Sequence, residues 1–437
     1  MSMLGEALRR YSFWFVDALC GSKVKKYLLD MEKKMQGEFD TPCDDLEKLL
    51  NHAVNTTEFY GKFKDYSSIN DFPVITKKRV KEKYGQFISS VYKNKKLHEV
   101  KTSGSTEERF TMLQDKQKRK RVIAEMLYFL KQFGVYPGYR YIDAKIWFED
   151  NRRTKLAQMV RNMRMFDCSS LSDASLEQLY GMLRKGQGLK CLTGYATFLS
   201  SIAQYFDKQG YSPDMFDVKL VVSGAERLEP AAKALLKKVF GCPVVSRYAN
   251  NENGFLGQQD LDSENFVMNT AHYYFETLKL DSDDPAPPGE PSRLLLTDIY
   301  NRAMPLIRYD TGDIVIVKTS GKHDAKKMIL TEISGRQDEI IYDVRGNKIC
   351  PHFVALKFRA YDRLPQFQLI QESLEEFTLN LEGAGDLYRD EDFIKTVKEL
   401  VGSTAVVKIE HVDKIPHLSS GKLKKIICKV DRFEGRS

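Results

Sequence analysis

Between residues 190 and 248 short apolar runs alternate with amphipathic stretches, and this alternation limits the folds open to the chain more than any other feature. Residues 190–199 (KCLTGYATFL) read as a strand passing into a helix, and 219–223 (KLVVS) as a short buried strand. Residues 231–240 read as a helix and 244–248 (VVSRY) as a further strand. Short apolar strands separated by helical stretches indicate an α/β domain. With 437 residues the chain exceeds the size at which one hydrophobic core stops growing, so two domains are expected.

The flanking segments fill in the plan. Residues 1–60 read as helical, 71–76 (DFPVIT) as an extended lead-in to a helix, and 101–110 (KTSGSTEERF) as a small-residue loop after a short β-like run. Residues 119–133 are again helical in pattern. After Asn265 strand-like runs (FVMNTAHYYFETLKL, RLLLTDI, DIVIV) surround a proline-rich, acidic turn at 281–291 (DSDDPAPPGEP). This makes 293–334 a β-rich subdomain. From Gly335 a separate pattern begins, with strands at 367–370, 377–381 and 405–410 and a helix at 392–401. The expectation is an α/β fold: a large N-terminal α/β domain with a β-rich subdomain over 1–334, and a small mobile α+β domain over 335–437.

A hydrophobic content of 42% against 29% charged residues is an ordinary globular mixture. The formal net charge of +8 favours anionic ligands. Lys and Arg are spread along the chain, and no nucleic-acid module is present, so a nucleic-acid partner is not expected. The densest basic run (Lys116, Lys118, Arg119, Lys120, Arg121) reads as a solvated helix face. Seven cysteines at long spacings, with no C-x-x-C pair, argue against a disulfide framework or a zinc site and fit a reducing cytoplasm. The apolar segment 11–20 (YSFWFVDALC) is too short to span a bilayer. It reads as the first helix of the fold packed on the core, with a membrane-surface helix as the alternative.

Six short constellations bear on chemistry. Thr102, Ser103, Gly104, Ser105 and Thr106 form a hydroxyl-rich loop that can cradle phosphate oxygens, or is an ordinary loop. Ser223-Gly224-Ala225-Glu226 ends a buried strand, which is a common ligand position or a plain strand-to-helix turn. In Tyr248-Ala249-Asn250-Asn251-Glu252 the tyrosine can stack on a base, and the carboxylate can hold Mg²⁺, which prefers oxygen. A polar loop is the plainer reading. Arg308 to Asp313 (RYDTGD) ends in a carboxylate able to accept both hydroxyls of a ribose, or is a β-turn. Gly335-Arg336-Gln337-Asp338 and Arg345-Gly346 lie at the change of texture and suit a swivel. Lys422 sits in a loop of small residues (PHLSSGKLKK) and can donate to a phosphoryl or carboxylate oxygen, although most lone lysines are simply solvated.

Taken in order and spacing, these constellations resemble the adenylate-forming superfamily of acyl-CoA synthetases, adenylation domains and luciferases. Within it they look most like the phenylacetate–CoA ligase branch and its capsular-polysaccharide-locus relatives. The resemblance implies a phosphate loop at Thr102 to Thr106. It implies an adenine site flanked by Gly224, Ala225, Glu226 and Tyr248, with Ala249 and Asn250 in the same ATP-binding segment. Asn251 would reach the α-phosphate and Glu252 would hold magnesium. Asp313, with Arg336, would take the ribose, Asp338 would be the hinge, Gly346 would line a pantetheine tunnel, and Lys422 would bridge carboxylate and α-phosphate. The implied protein is a cytoplasmic ligase using ATP, Mg and CoA, with a small-molecule carboxylate as substrate. Alternatives are transfer to an amine in capsular polysaccharide biosynthesis, and an adenylate-binding protein that has lost turnover. The sequence departs from the pattern at Glu107-Glu108-Arg109, at Asn251 in place of threonine, and at Lys425 in place of arginine. Residues 253–312 contain no cysteine, so the zinc site of some relatives is not expected. Tyr195 and Phe198 are candidates for the acyl pocket or plain core.

Overall fold

The computed structural model describes residues 3–37, 42–101, 111–147, 152–160, 162–169, 172–186, 188–261, 263–318, 328–336, 339–349, 351–358, 360–361, 364, 366–383, 388–416 and 423–430. Its helices are α1 (Met3–Leu19), α2 (Lys23–Gln36), α3 (Pro42–Thr56), α4 (Lys77–Glu82), α5 (Lys116–Lys131), α6 (Lys155–Val160), α7 (Asp173–Leu183), α8 (Ala196–Lys208), α9 (Pro230–Phe240), α10 (Pro351–Phe358) and α11 (Asp390–Val401). Its strands begin with β1 (His98–Lys101), β2 (Thr111–Gln114), β3 (Arg140–Lys145), β4 (Met163–Asp167), β5 (Lys190–Tyr195), β6 (Val218–Gly224), β7 (Val244–Asn250), β8 (Gly254–Gln259), β9 (Phe266–Met268) and β10 (Tyr273–Leu278). They continue with β11 (Pro291–Asp298), β12 (Tyr309–Val317), β13 (Ile329–Arg336), β14 (Ile341–Tyr342), β15 (Lys348–Ile349), β16 (Gln366–Gln371), β17 (Glu376–Glu382), β18 (Val406–Val412) and β19 (Ile426–Cys428). The fold is α/β, as the alternation of short strands and helices requires.

The chain divides into two compact units. The first takes Met1–Glu276, Leu295–Tyr309 and Lys318–Thr331. Its sheet runs β4-β3-β5-β6-β7-β8-β9. The first five strands are parallel, and β8 and β9 add antiparallel. Strands buried on both faces need near-continuous apolar runs, which Leu220, Val221 and Val222 of β6 supply. On one face α7, α8 and α9 pack Leu179, Leu199, Ile202, Phe206, Leu236 and Val239 against Ile142, Leu192 and Val221. On the other, Leu130 and Phe133 from the end of α5 meet Cys191, Leu220, Val222 and Val245. Helix α2 then covers α5 through Val24, Leu28, Ala124 and Leu127.

The second unit takes Thr277–Leu294, Asp310–Val317 and Glu332–Ser437. Its C-terminal part is a four-stranded sheet in the order β18-β17-β16-β19. The central pair is antiparallel and both outer pairs are parallel. Helices α10 and α11 bury Val354, Phe358, Phe393, Val397 and Val401 on Leu369, Phe377, Leu379 and Leu381. Three carboxylates, Asp390, Glu391 and Asp392, occupy the first turn of α11, where they complement the helix dipole.

Two local readings are corrected. The RYDTGD segment is not a β-turn: residues from Tyr309 onward belong to the nine-residue strand β12. The basic run at 116–121 is not wholly a solvated face, because Lys118 on α5 is completely buried.

Candidate active site

In an open parallel sheet the strands' carboxyl ends form a natural ligand edge, because helix N-termini and loops converge there. Strands β5, β6 and β7 end side by side, with Tyr195 in register with Gly224 and Ser223 in register with Ser246. This brings the Ser223–Glu226 and Tyr248–Glu252 segments to one edge of one sheet. Ala225 has φ of 66°, a conformation disfavoured for a residue with a Cβ, and it is exposed. Glu226 reaches to the start of α8, where its carboxylate accepts hydrogen bonds from the Thr197 amide (3.0 Å) and hydroxyl (2.6 Å). The hydroxyl of Ser223 is buried and has no hydrogen-bond partner. Orphaned polar atoms of this kind are uncommon in folded chains. Tyr195 lies at this edge, stacked on Phe198 at 5.6 Å between ring centroids. Phe198 itself is core.

The turn after β7 is held from several sides. Asn250 accepts from the Asn253 backbone (2.9 Å) and side chain (3.1 Å). The Glu252 carbonyl accepts from Gln114 (3.0 Å). Ala249 and Asn251 are exposed and Glu252 is half-buried, so its carboxylate fits a hard cation by chemistry and by position at the rim. Tyr248 is only 8% exposed, so little of its ring faces solvent.

Behind the turn lies a buried ionic cluster that the sequence did not disclose. Lys118 pairs with Asp298 at 2.9 Å and lies 3.5 Å from Glu125, and it donates to the Tyr273 hydroxyl at 2.9 Å. That hydroxyl stands 3.1 Å from Glu125 and 3.0 Å from the Asn253 carbonyl. Glu125 also accepts from the Phe255 amide at 3.1 Å. The cluster therefore grips residues 253 and 255, on either side of Gly254. A Cβ on Gly254, whose φ is +132°, would stand 2.6 Å from the Glu125 carboxylate. Burial pushes the Glu125 carboxyl up, but Lys118 and the bond to His272 outweigh it and hold it at about 2. Burial pushes His272 down to about 4, against the pull of Glu125. Geometry agrees: Arg121 can only donate, so the His272 Nε2 it meets at 3.1 Å must accept. The Nδ1–H of a neutral ring then donates to Glu125 at 2.8 Å.

In the second unit Asp313 and Arg336 come together, Nε to Oδ1 at 2.9 Å. Thr311 orders the approach by accepting from the Asp313 amide (3.1 Å) and donating to the Leu294 carbonyl (2.9 Å). The Asp313 side chain is 11% exposed. Gly346 sits in the exposed turn of the β14–β15 hairpin, its amide bonded to the Asp343 carbonyl at 2.9 Å. Thr102, Ser103, Gly104, Ser105, Thr106, Asp338 and Lys422 lie outside the described residues.

Residues 341–429 match the family described as the CapK C-terminal domain. Protein CapK of Staphylococcus aureus is 24% identical over 418 residues, covering 87% of this chain and 88% of CapK. The chain is thus similar in sequence to CapK and to phenylacetate–CoA ligases, and residues 341–429 carry the CapK C-terminal domain. A phenylacetate–coenzyme A ligase of Thermus thermophilus is 23% identical over 55% of this chain and 59% of that ligase. The fold matches 2-hydroxyisobutyryl-CoA ligase in the postadenylation state, in complex with R3-HIB-AMP. That match has a TM-score of 0.67 and 15% identity, and covers 89% of this chain and 88% of the other.

Proposed function

We propose that the chain activates a carboxylic acid with ATP and magnesium and then passes the acyl group to CoA. The supporting observation is the edge formed by β5, β6 and β7. It carries the exposed Ala225 turn and the braced Glu252 turn on one rim.

In the proposed first step a carboxylate oxygen attacks the α-phosphorus of ATP, a P–O bond forms, and pyrophosphate leaves. The 223–226 turn and Tyr248 would hold the base, with Ala249 and Asn250 beside it. Asn251 would donate to the α-phosphate, Asp313 with Arg336 would hold the ribose, and Glu252 would hold the metal. Magnesium, when bound, offsets negative charge on the phosphates. Thr102 to Thr106 would position the leaving pyrophosphate, and Lys422 would donate to the charge growing at phosphorus. In the second step a thiol attacks the acyl carbon and AMP leaves. Gly346 would line the path of the CoA arm.

The test mixes the protein with ATP, magnesium and a panel of carboxylates and follows pyrophosphate. Release that depends on one acid supports activation, and addition of CoA should then yield a thioester. Thioester failure with product formed on an added amine would replace CoA by an amine acceptor. Tight ATP binding with no pyrophosphate from any acid would favour an adenylate-binding protein without turnover. No described helix is long and apolar enough to cross a membrane.

A further inference from the structure

Helix α1 is amphipathic the wrong way round for a helix that serves only the core. Its charged side chains Glu6, Arg9, Arg10 and Asp17 turn toward the rest of the fold. Glu6 and Asp17 are 8% and 6% exposed. Glu6 accepts from the Leu189 amide at 2.6 Å, and Asp17 caps α2 by accepting from the Val24 and Lys25 amides at 3.0 and 2.9 Å. Arg9 donates to the Gly138 carbonyl at 3.0 Å, and Arg10 lies over the Tyr136 ring. The seat is close: a Cβ at Gly138, whose φ is +104°, would collide with the Glu6 carbonyl. Phe13 and Trp14 pack beside the Val24–Leu127 cluster. The opposite face holds Leu8, Tyr11, Phe15, Val16 and Leu19, exposed by 67, 75, 65, 57 and 73%. At 100° per residue Leu8, Tyr11, Phe15 and Leu19 fall on one stripe. A contiguous exposed apolar stripe marks a surface that something covers.

Charge indicates what covers it. Residues 3–37 hold seven basic and four acidic side chains. All four acids are engaged elsewhere: Glu6 and Asp17 as above, Asp30 with Lys34 and Arg121, and Glu32 with Lys131. Lys23, Lys25 and Lys26 follow the stripe directly across the turn and are exposed, with Leu29 exposed among them. A second copy of this face would bring no carboxylate to meet those lysines, whereas an anionic bilayer supplies both headgroup charge and an apolar interior. We propose that α1 and the start of α2 dock this protein on an anionic lipid surface, with Leu8, Tyr11, Phe15 and Leu19 entering the headgroup–acyl boundary and Lys23, Lys25 and Lys26 meeting lipid phosphates.

The experiment is co-sedimentation of the full chain with vesicles of phosphatidylcholine containing phosphatidylglycerol, and with phosphatidylcholine alone. Binding is expected on the anionic vesicles and should weaken with salt. A Phe15→Ser, Leu19→Ser double variant should lose roughly tenfold or more in partitioning, from the apolar area no longer buried. A Lys25→Gln, Lys26→Gln variant should lose roughly fivefold per lysine on anionic vesicles only. Both pairs point outward, so their thermal unfolding and any pyrophosphate release in detergent-free buffer should match wild type. Absence of vesicle binding by wild type overturns the proposal, as does binding that neither variant weakens. Sedimentation of wild type as a dimer that Phe15→Ser, Leu19→Ser splits, without vesicle binding, would assign the stripe to a second copy instead.

Discussion

His272 carries a pH dependence whose sign follows from its surroundings. Its folded pKa of about 4 lies below the ordinary 6.5, so the unfolded chain binds the proton more readily. Stability is therefore fully present above about pH 6.5 and is lost as pH falls toward 4, with Glu125 extending the loss from 4.5 toward 2. Urea denaturation across this range should give a falling midpoint, and His272→Asn should flatten the slope between 6.5 and 4. A wild-type midpoint that holds steady there would mean the ring is already charged in the fold. Asp313 gives a second test. Replacing it with Ala removes the partner of Arg336 and the proposed ribose acceptor, so ATP binding should weaken by about 2–4 kcal/mol. Calorimetric titration giving equal dissociation constants for variant and wild type would remove Asp313 from the nucleotide site. The two residues differ in legibility. Asp313 stands in a motif with recognisable spacing. His272 and Lys118 do not, because burial of a charge depends on partners 147 and 180 positions away, Glu125 and Asp298, and a basic run reads as solvated unless those partners are known.

At the scale of elements, local pattern carried the parallel sheet well. Helix α9 and strands β6 and β7 fall within two residues of the spans expected from apolar runs, because burial on both faces forces an unmistakable composition. Strand β12 was missed at its start, since turn-forming residues there are held extended by pairing and by the Thr311 bridge to Leu294. Segment 11–20 reads as a helix packed on the core, and Phe13 and Trp14 of α1 do pack there, but periodicity alone cannot say which of its apolar residues turn inward. The Asp17 cap on α2, the Glu6 bond to Leu189 and the Gly138 contact decide it. The β7–β8 connection yields a prediction of its own. Gly254→Ala forces a Cβ to within 2.6 Å of a buried carboxylate in a conformation L residues avoid, at a cost of about 1–3 kcal/mol. It should lower the urea midpoint and raise the magnesium concentration needed for half-maximal pyrophosphate release, because the Glu252 turn loses its brace. An unchanged midpoint would show that the turn relaxes freely and that the buried cluster does not position it.

For the molecule as a whole, the proposed chemistry sets a requirement that no single site residue meets. In the proposal Lys422 would act at the carboxylate during adenylation, whereas acyl transfer would need a path for the acceptor along the face that carries Gly346. Both residues belong to the segment after β13, and one rigid arrangement cannot present each in turn at one reaction centre, so the proposal requires a swivel. Asp338, outside the described residues, follows Gly335 and Arg336, and the latter is already committed to Asp313 at 2.9 Å. The proposal places the pivot at Asp338. Asp338→Pro fixes φ near −65° and removes a backbone donor, which traps one angle. Single-turnover measurements should time pyrophosphate release and thioester formation separately, with folding checked by circular dichroism. The variant is expected to slow one half-reaction at least tenfold more than the other, roughly the effect of a 1.4 kcal/mol difference in barrier. Equal slowing of both, or none, in a folded variant would place the pivot elsewhere or remove the need for one.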